Sequence, residues 1–511
     1  MQKISKKEKF LYGLGDLSGN IMLAAFSFYL LFFMVSVGGL KPALASLVFL
    51  VAKGWDAVTD IWMGRISDNT KSKWGKRKIY MIFGAIPFGL MFILLWLCPF
   101  KDTSGQAIRF IYYLLAYCLF NTTWTIVYVP YNALTANMTQ NYDERSSLTT
   151  VRIVMANVGL LLGAAIFGLL AGNGSIFQEL FISKGFEAYK ATQYSYMASS
   201  IVFGIISAIT MLISGLGVHE RYDAQAEKNK YSLLKTIGQF FKMKEFRYMT
   251  AYYLTSLLTF DIIMALFMFY ISDTLGFNSD GTLTMIFIAL PLLVAMLTSV
   301  MWDKLSAKYE KHKMFALSAS ICSLGLLILL FIPQLPDALY QATEETVSMG
   351  QLLSTPSAIM LIITVIIVGI GMSGIQIMPY ASIPDIVELD EYTYGVRREG
   401  AYYGVQSFMY KLANGLSLAV VSLLLGLFHY KETPFTDEAG TVVYSYIQPM
   451  EARQAVRYMF ALLPIAIFII SIICAFKANM GRKRYEEITK ALAERHAQEQ
   501  PQEQPQEQTQ E

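Results

Sequence analysis

Apolar stretches of about twenty residues return along nearly the whole chain, each long enough for an α-helix to cross the hydrocarbon of a bilayer. A backbone in lipid must satisfy its own hydrogen bonds, so repeated spans of this kind predict a bundle of transmembrane helices. Twelve spans are expected, at about 10–37, 43–66, 79–100, 108–134, 149–172, 195–217, 248–273, 283–302, 314–333, 357–384, 400–429 and 454–477. Composition agrees: 55% of the 511 residues are hydrophobic and only 15% are charged, against about 25% charged in soluble domains. The basic first residues lead into an apolar run that continues to Val37 and contains Asp16, so it reads as a retained span and not as a cleaved signal.

The net charge of +3 hides a strong local pattern. Between the second and third spans lies GRISDNTKSKWGKRK, where Arg65, Lys71, Lys73, Lys76, Arg77 and Lys78 outnumber Asp68. The positive-inside rule makes this loop cytoplasmic, and it puts the N-terminus, the 218–247 connection and the tail after Lys477 on the same side. Loops 274–282 and 334–356, on the other side, contain no Lys or Arg. Both termini are therefore expected inside, in a multi-pass protein of the cell membrane. Cys98, Cys118, Cys322 and Cys474 all fall in or at the ends of apolar spans and read as small hydrophobes, with no disulfide framework or metal-ligand spacing.

The chain also repeats itself. Asp68 followed by Lys76, Arg77 and Lys78 is echoed by Asp303 followed by Lys311, His312 and Lys313, and VPYNAL at 129–134 is echoed by MPYASI at 378–383. These echoes predict an all-α membrane protein of two pseudo-symmetric six-helix bundles, residues 1–217 and 248–477. A cytoplasmic middle loop (218–247) with an amphipathic helix would join them, and a largely disordered tail (478–511) would follow. No Walker loop, metal-binding His pair or nucleophile elbow points to an enzyme, and nothing points to nucleic acid or to a resident cofactor.

A charge at the centre of a bilayer costs about 2.5–3.5 kcal/mol even on lenient scales, so each one needs a partner or a task. Asp16, Lys53, Asp56, Asp60, Arg152, Asp261 and Lys411 are the charges in question. Asp56 and Asp60 stand four residues apart, on one helix face and roughly 6 Å apart along its axis. Two such carboxylates invite a cation between them, with Thr59 and Thr125 as hydroxyl donors, although Lys53 could instead neutralise the pair. Arg152 and Lys411 either balance acids of the other half or hydrogen-bond a hydroxyl-rich or anionic substrate. Trp124 and Tyr128, one turn apart, either offer aromatic faces to the C–H groups of a sugar-like ligand or pack as aromatics commonly do in membrane helices.

These motifs resemble the glycoside-pentoside-hexuronide:cation symporters of the major facilitator superfamily. The resemblance covers about residues 10–477 and rests on YGLGDLSGN (12–20), WDAVTDIWMGRISDNTKSKWGKRK (55–78), VPYNAL, DERSSLTTVR (143–152), PDIVELDEY (384–392) and GVQSFMYK (404–411). It implies a carrier that alternates between two faces and moves a sugar, glycoside or hexuronide with Na+, H+ or Li+; the carrier is expected to function as a monomer in the bilayer. It places the cation at Asp56, Asp60, Thr59 and Thr125. Substrate falls to Asp16, Asn20, Trp124, Tyr128, Arg152 and Lys411. The two sugar-binding aspartates of the melibiose permeases fall here on Asn20 and Tyr128, a loss of negative charge that would favour a carboxylate-bearing sugar. Asp68, Arg77 and Asp303 are expected to form cytoplasmic latches that open and close with the cycle. The alternative within the superfamily is a carrier of lysolipids or other amphiphiles. A membrane sensor that transports nothing is more remote.

Overall fold

A computed structural model describes residues 4–101, 103–139, 142–221, 238–277, 281–335, 349–395, 399–436, 441–443, 447–478 and 481–499. The twelve expected spans are all present as helices. The first is Lys6–Ala25, continued by π-helical turns at Phe26–Leu30 and Phe33–Val37, and the second is Pro42–Asn69. Lys78–Leu95, Gln106–Met138, the run from Tyr142 to Leu170 and Ala188–Gly217 complete the first half. The second half comprises the run from Lys244 to Leu275, Gly281–Lys308, Lys311–Leu329, Pro356–Ala381, Glu399–Leu427 and Met450–Lys477. Among the described residues ten helices are apolar enough to cross a membrane on composition alone. The first and second spans are not among these ten.

Pseudo-symmetry is visible in the packing. Span one packs on five and six, three on four and six, and two on four; seven packs on eleven and twelve, nine on ten and twelve, and eight on ten. Adding six to each member of the first set gives the second. Between the halves, span two meets eleven and span five meets eight, again a symmetric pair. Small residues permit the closest crossings: a Cβ on Gly159 of span five would lie 2.6 Å from the Leu17 carbonyl oxygen of span one. Gly369 of span ten stands in the same relation to the Pro291 carbonyl of span eight, also at 2.6 Å.

The end of the bundle that carries both termini is organised by carboxylates. Glu220 accepts hydrogen bonds from the backbone N–H groups of Lys76, Arg77 and Lys78 at 2.8, 2.8 and 2.9 Å, which caps the helix beginning at Lys78. Burial pushes the Glu8 carboxyl up, but the Arg221 guanidinium and the His219 N–H outweigh it and hold Glu8 below its ordinary value. At the opposite end the halves are joined by the loop after span eleven. There the Thr433 N–H donates to the Val35 carbonyl at 3.0 Å and its hydroxyl donates to the Ser36 carbonyl at 2.8 Å.

One expectation about the connections changes. Residues Arg482–Glu499, expected inside a largely disordered tail, form a helix docked on the second half through Arg484 to Glu245 (2.8 Å) and Tyr485 to Glu388 (3.2 Å). Its Ala, Glu, Lys, Leu and Arg content favours a helix, which these contacts hold in place. Of the amphipathic segment in the middle loop, Leu233, Leu234 and Ile237 lie outside the described residues. Phe240 is fully buried, with its ring 4.0 Å from that of Tyr402, while Phe241 is 42% exposed, so Phe240 anchors this part on the second half.

Candidate cation and substrate sites

Asp56 and Asp60 share one face of span two, as their spacing predicted, and that face meets spans four and eleven. The Thr125 hydroxyl from span four stands between them, 3.1 Å from Asp56 Oδ1 and 2.9 Å from Asp60 Oδ1. One hydroxyl proton cannot serve both carboxylates at once, so Thr125 donates to one and offers its lone pairs nearby. Lys411 of span eleven reaches across the halves, its ammonium paired with Asp60 Oδ2 and 3.4 Å from Asp56 Oδ2. Lys53 Nζ lies 4.0 Å from Asp56 Oδ2. Asp56 has 4% of its side chain exposed and Asp60 26%, so one carboxylate is sealed in while the other faces an approach.

Thr59 does not join this cluster through its proton: its hydroxyl donates to the Asp56 backbone carbonyl at 3.1 Å, the usual habit of a hydroxyl in a membrane helix. Thr122 and Thr123 likewise bond the carbonyls of Cys118 and Phe120, and the Asn121 amide donates to the Ala52 carbonyl. Thr125 is the exception because its carboxylate partners come from another helix. The converging oxygens of Asp56, Asp60 and Thr125 are hard, anionic or hydroxylic donors, a set that suits a small monovalent cation or a proton.

A second cluster joins spans one, four and five. Arg152 grips Asp16 with two hydrogen bonds, Nε to Oδ2 at 2.7 Å and Nη2 to Oδ1 at 3.1 Å, and Nη2 also donates to Asn132 Oδ1 at 2.7 Å. The Tyr131 hydroxyl lies 2.6 Å from Asp16 Oδ2, and the guanidinium sits over the rings of Tyr131 and Tyr12 at 4.9 and 5.5 Å. Trp124 and Tyr128 stack with centroids 4.3 Å apart. The Tyr128 hydroxyl, however, donates to the Gly15 carbonyl at 2.6 Å, and the Asn20 amide donates to the Asp16 carbonyl at 2.8 Å. Tyr131 and Asn132 belong to VPYNAL, which the sequence marked as an internal echo and as part of the family resemblance; neither revealed their contact with Arg152.

Pairing alters one argument from charge. Arg152 and Lys411 are both bound to carboxylates, so the unbalanced positive charge that favoured a carboxylate-bearing sugar is already satisfied inside the protein. The side chains of Asp68 and Asp303 lie outside the described residues. Arg77 is buried beside the Glu220 cap.

A family model described as MFS/sugar transport protein matches residues 11–481. The chain belongs to that family. This transporter is 24% identical to the putative glycoside/cation symporter YagG of Escherichia coli, over 97% of each chain. It is 22% identical to sodium-dependent lysophosphatidylcholine symporter 1 of Xenopus tropicalis, over 96% of this chain and 90% of that one. In fold it is similar to the crystal structure of a bacterial homologue of the lysosomal transporter Spinster, with a TM-score of 0.61, 13% identity and 96% of both chains covered. It is a multi-pass membrane protein and a cation-coupled symporter of the major facilitator type, not an enzyme.

Proposed function

We propose that this transporter carries a neutral sugar or glycoside together with one monovalent cation, Na+ or H+, by alternating access. The observation that carries this reading is the Asp56–Thr125–Asp60 cluster with Lys411 laid across it. An arriving cation replaces the Lys411 ammonium on the carboxylates, which changes a bond between the two halves and so couples occupancy to their relative position. Sugar would bind next to the Arg152–Asp16–Tyr131 network and the Trp124–Tyr128 stack, where ionic hydrogen-bonding groups and aromatic faces lie on the same helices.

An inward-moving positive charge gains about 2.3 kcal/mol per 100 mV, enough to concentrate a neutral solute about fifty-fold. A lysolipid is the second reading, favoured by the likeness to the lysophosphatidylcholine symporter. Uptake into proteoliposomes of labelled glycosides, uronides and lysophosphatidylcholine, under imposed Na+ or H+ gradients, separates the two. Gradient-dependent accumulation of a neutral glycoside supports the proposal; accumulation of lysolipid alone refutes it.

A further inference from the structure

Asp261 lies in the middle of span seven, in the second half of the protein, and has no place in the mechanism above. It is buried, 8% exposed, and among the described residues its one hydrogen bond comes from a neutral group, the Asn414 amide at 3.3 Å. A buried carboxylate with so little compensation needs positive charge nearby. Span eleven shows where that charge comes from. Lys411, Asn414 and Gly415 fall at i, i+3 and i+4 on one face of Glu399–Leu427. Lys411 meets Asp56 and Asp60, Asn414 meets Asp261, and the missing side chain of Gly415 makes room for the stem of Lys53, whose Cβ would lie 3.0 Å from a Cβ at that position. Gly415 follows Asn414 directly in the chain, so the stem of Lys53 packs beside the residue that holds Asp261.

Lys53 thus emerges between carboxylates of opposite halves. Its contact with Asp56, at 4.0 Å, is at the outer limit of an ion pair, and four methylenes let the ammonium move to the other side without moving the helix. The three carboxylates Asp56, Asp60 and Asp261, set against the ammoniums of Lys53 and Lys411, leave one uncompensated negative charge, which a single monovalent cation cancels. Once a cation sits on Asp56 and Asp60, positive charge beside it is repelled, and Asp261 is the acceptor in reach.

We propose that Asp261 is the holding site for the Lys53 ammonium when a cation occupies the Asp56/Asp60 pair, so that Lys53 is an internal cation exchanged between the two halves. Asp261 is a positioning residue in this scheme: it sets the affinity and the one-cation stoichiometry of a site it does not line. Span two, carrying Lys53, is tied to span seven, carrying Asp261, only in the cation-loaded carrier. The inference rests on the reading of Asp56 and Asp60 as the coupling site.

The test titrates binding of radiolabelled Na+ to the purified full-length protein in nanodiscs, with melting temperature as a check on folding. Asp56→Asn tests the underlying reading and is expected to abolish binding; retained binding there overturns that reading and this one with it, and no Na+ binding to the unmodified protein overturns this one. Asp261→Asn leaves Lys53 competing for Asp56 and is expected to weaken Na+ about ten-fold, whereas Lys53→Met tightens it about ten-fold. The decisive variant is the double substitution Lys53→Met with Asp261→Asn, expected to return to within about three-fold of the unmodified protein. A merely structural role for Asp261 would not be rescued by removing a lysine. If Asp56→Asn abolishes binding but Asp261→Asn is unaltered, or if the double variant binds as weakly as Asp261→Asn, the proposal fails while the cation site stands.

Discussion

Thr125 is the residue where the cation site is most delicately balanced, because its single hydroxyl stands within hydrogen-bond range of both carboxylates. Replacing it by Ala removes one neutral hydrogen-bonding group, worth about 0.5–1.5 kcal/mol, and should weaken cation affinity by roughly two- to ten-fold without abolishing it. Isothermal titration of the purified protein checks this, and an unaltered affinity would place the cation elsewhere. Arg152→Lys keeps the charge but loses the two-pronged grip on Asp16. It should weaken substrate binding at least ten-fold while leaving cation affinity within about two-fold, a split visible in parallel titrations with substrate and with cation. The Asp56/Asp60 pair was legible in the sequence because helical spacing is local. Its partner Lys411 lies 351 residues away, and only the packing of the halves brings it there. The choice between Thr59 and Thr125 was equally hidden, since it depends on which carbonyls and carboxylates each hydroxyl meets.

At the scale of the helices, the capping of the third span by Glu220 is a direct target. Glu220→Gln keeps the shape but removes a charge at the N-terminus of Lys78–Leu95, and should cost about 0.3–2 kcal/mol, read as a lower melting temperature. The Glu8 contacts with Arg221 and His219 give a pH signature at the same end. Because folding lowers the affinity of Glu8 for its proton, this carboxylate contributes stability at neutral pH, and the contribution is lost as pH falls through its lowered folded value. Melting temperatures of the unmodified protein and Glu8→Gln should therefore differ at neutral pH and converge in acid. The twelve spans were legible from the recurrence of apolar stretches together with the charge pattern of the loops, both local features of the sequence. The Arg482–Glu499 helix was not, because its hydrophilic sequence gains its place through contacts with Glu245 and Glu388 on other elements.

The whole molecule is two copies of one packing plan joined along spans two and eleven, five and eight, and one and seven. At the end opposite the termini, the Tyr430 hydroxyl donates to Asp273 Oδ2 at 2.6 Å and lies 3.1 Å from the Ser36 hydroxyl, so one phenol links the halves. Tyr430→Phe should shift the population towards carriers open at that end, measured as faster labelling of a cysteine introduced there. The sequence echoes revealed the duplication; the clasp around Tyr430 could not be read from them, since it lies in the loop after span eleven and closes on the first half. Alternating access is coupled to a cation only if the Asp56/Asp60 pair is where that cation sits. The direct test compares gradient-driven accumulation with exchange at equilibrium in proteoliposomes carrying the unmodified protein or Asp56→Asn. Loss of accumulation with substrate exchange retained is the predicted result; accumulation by Asp56→Asn at the unmodified level would contradict the account.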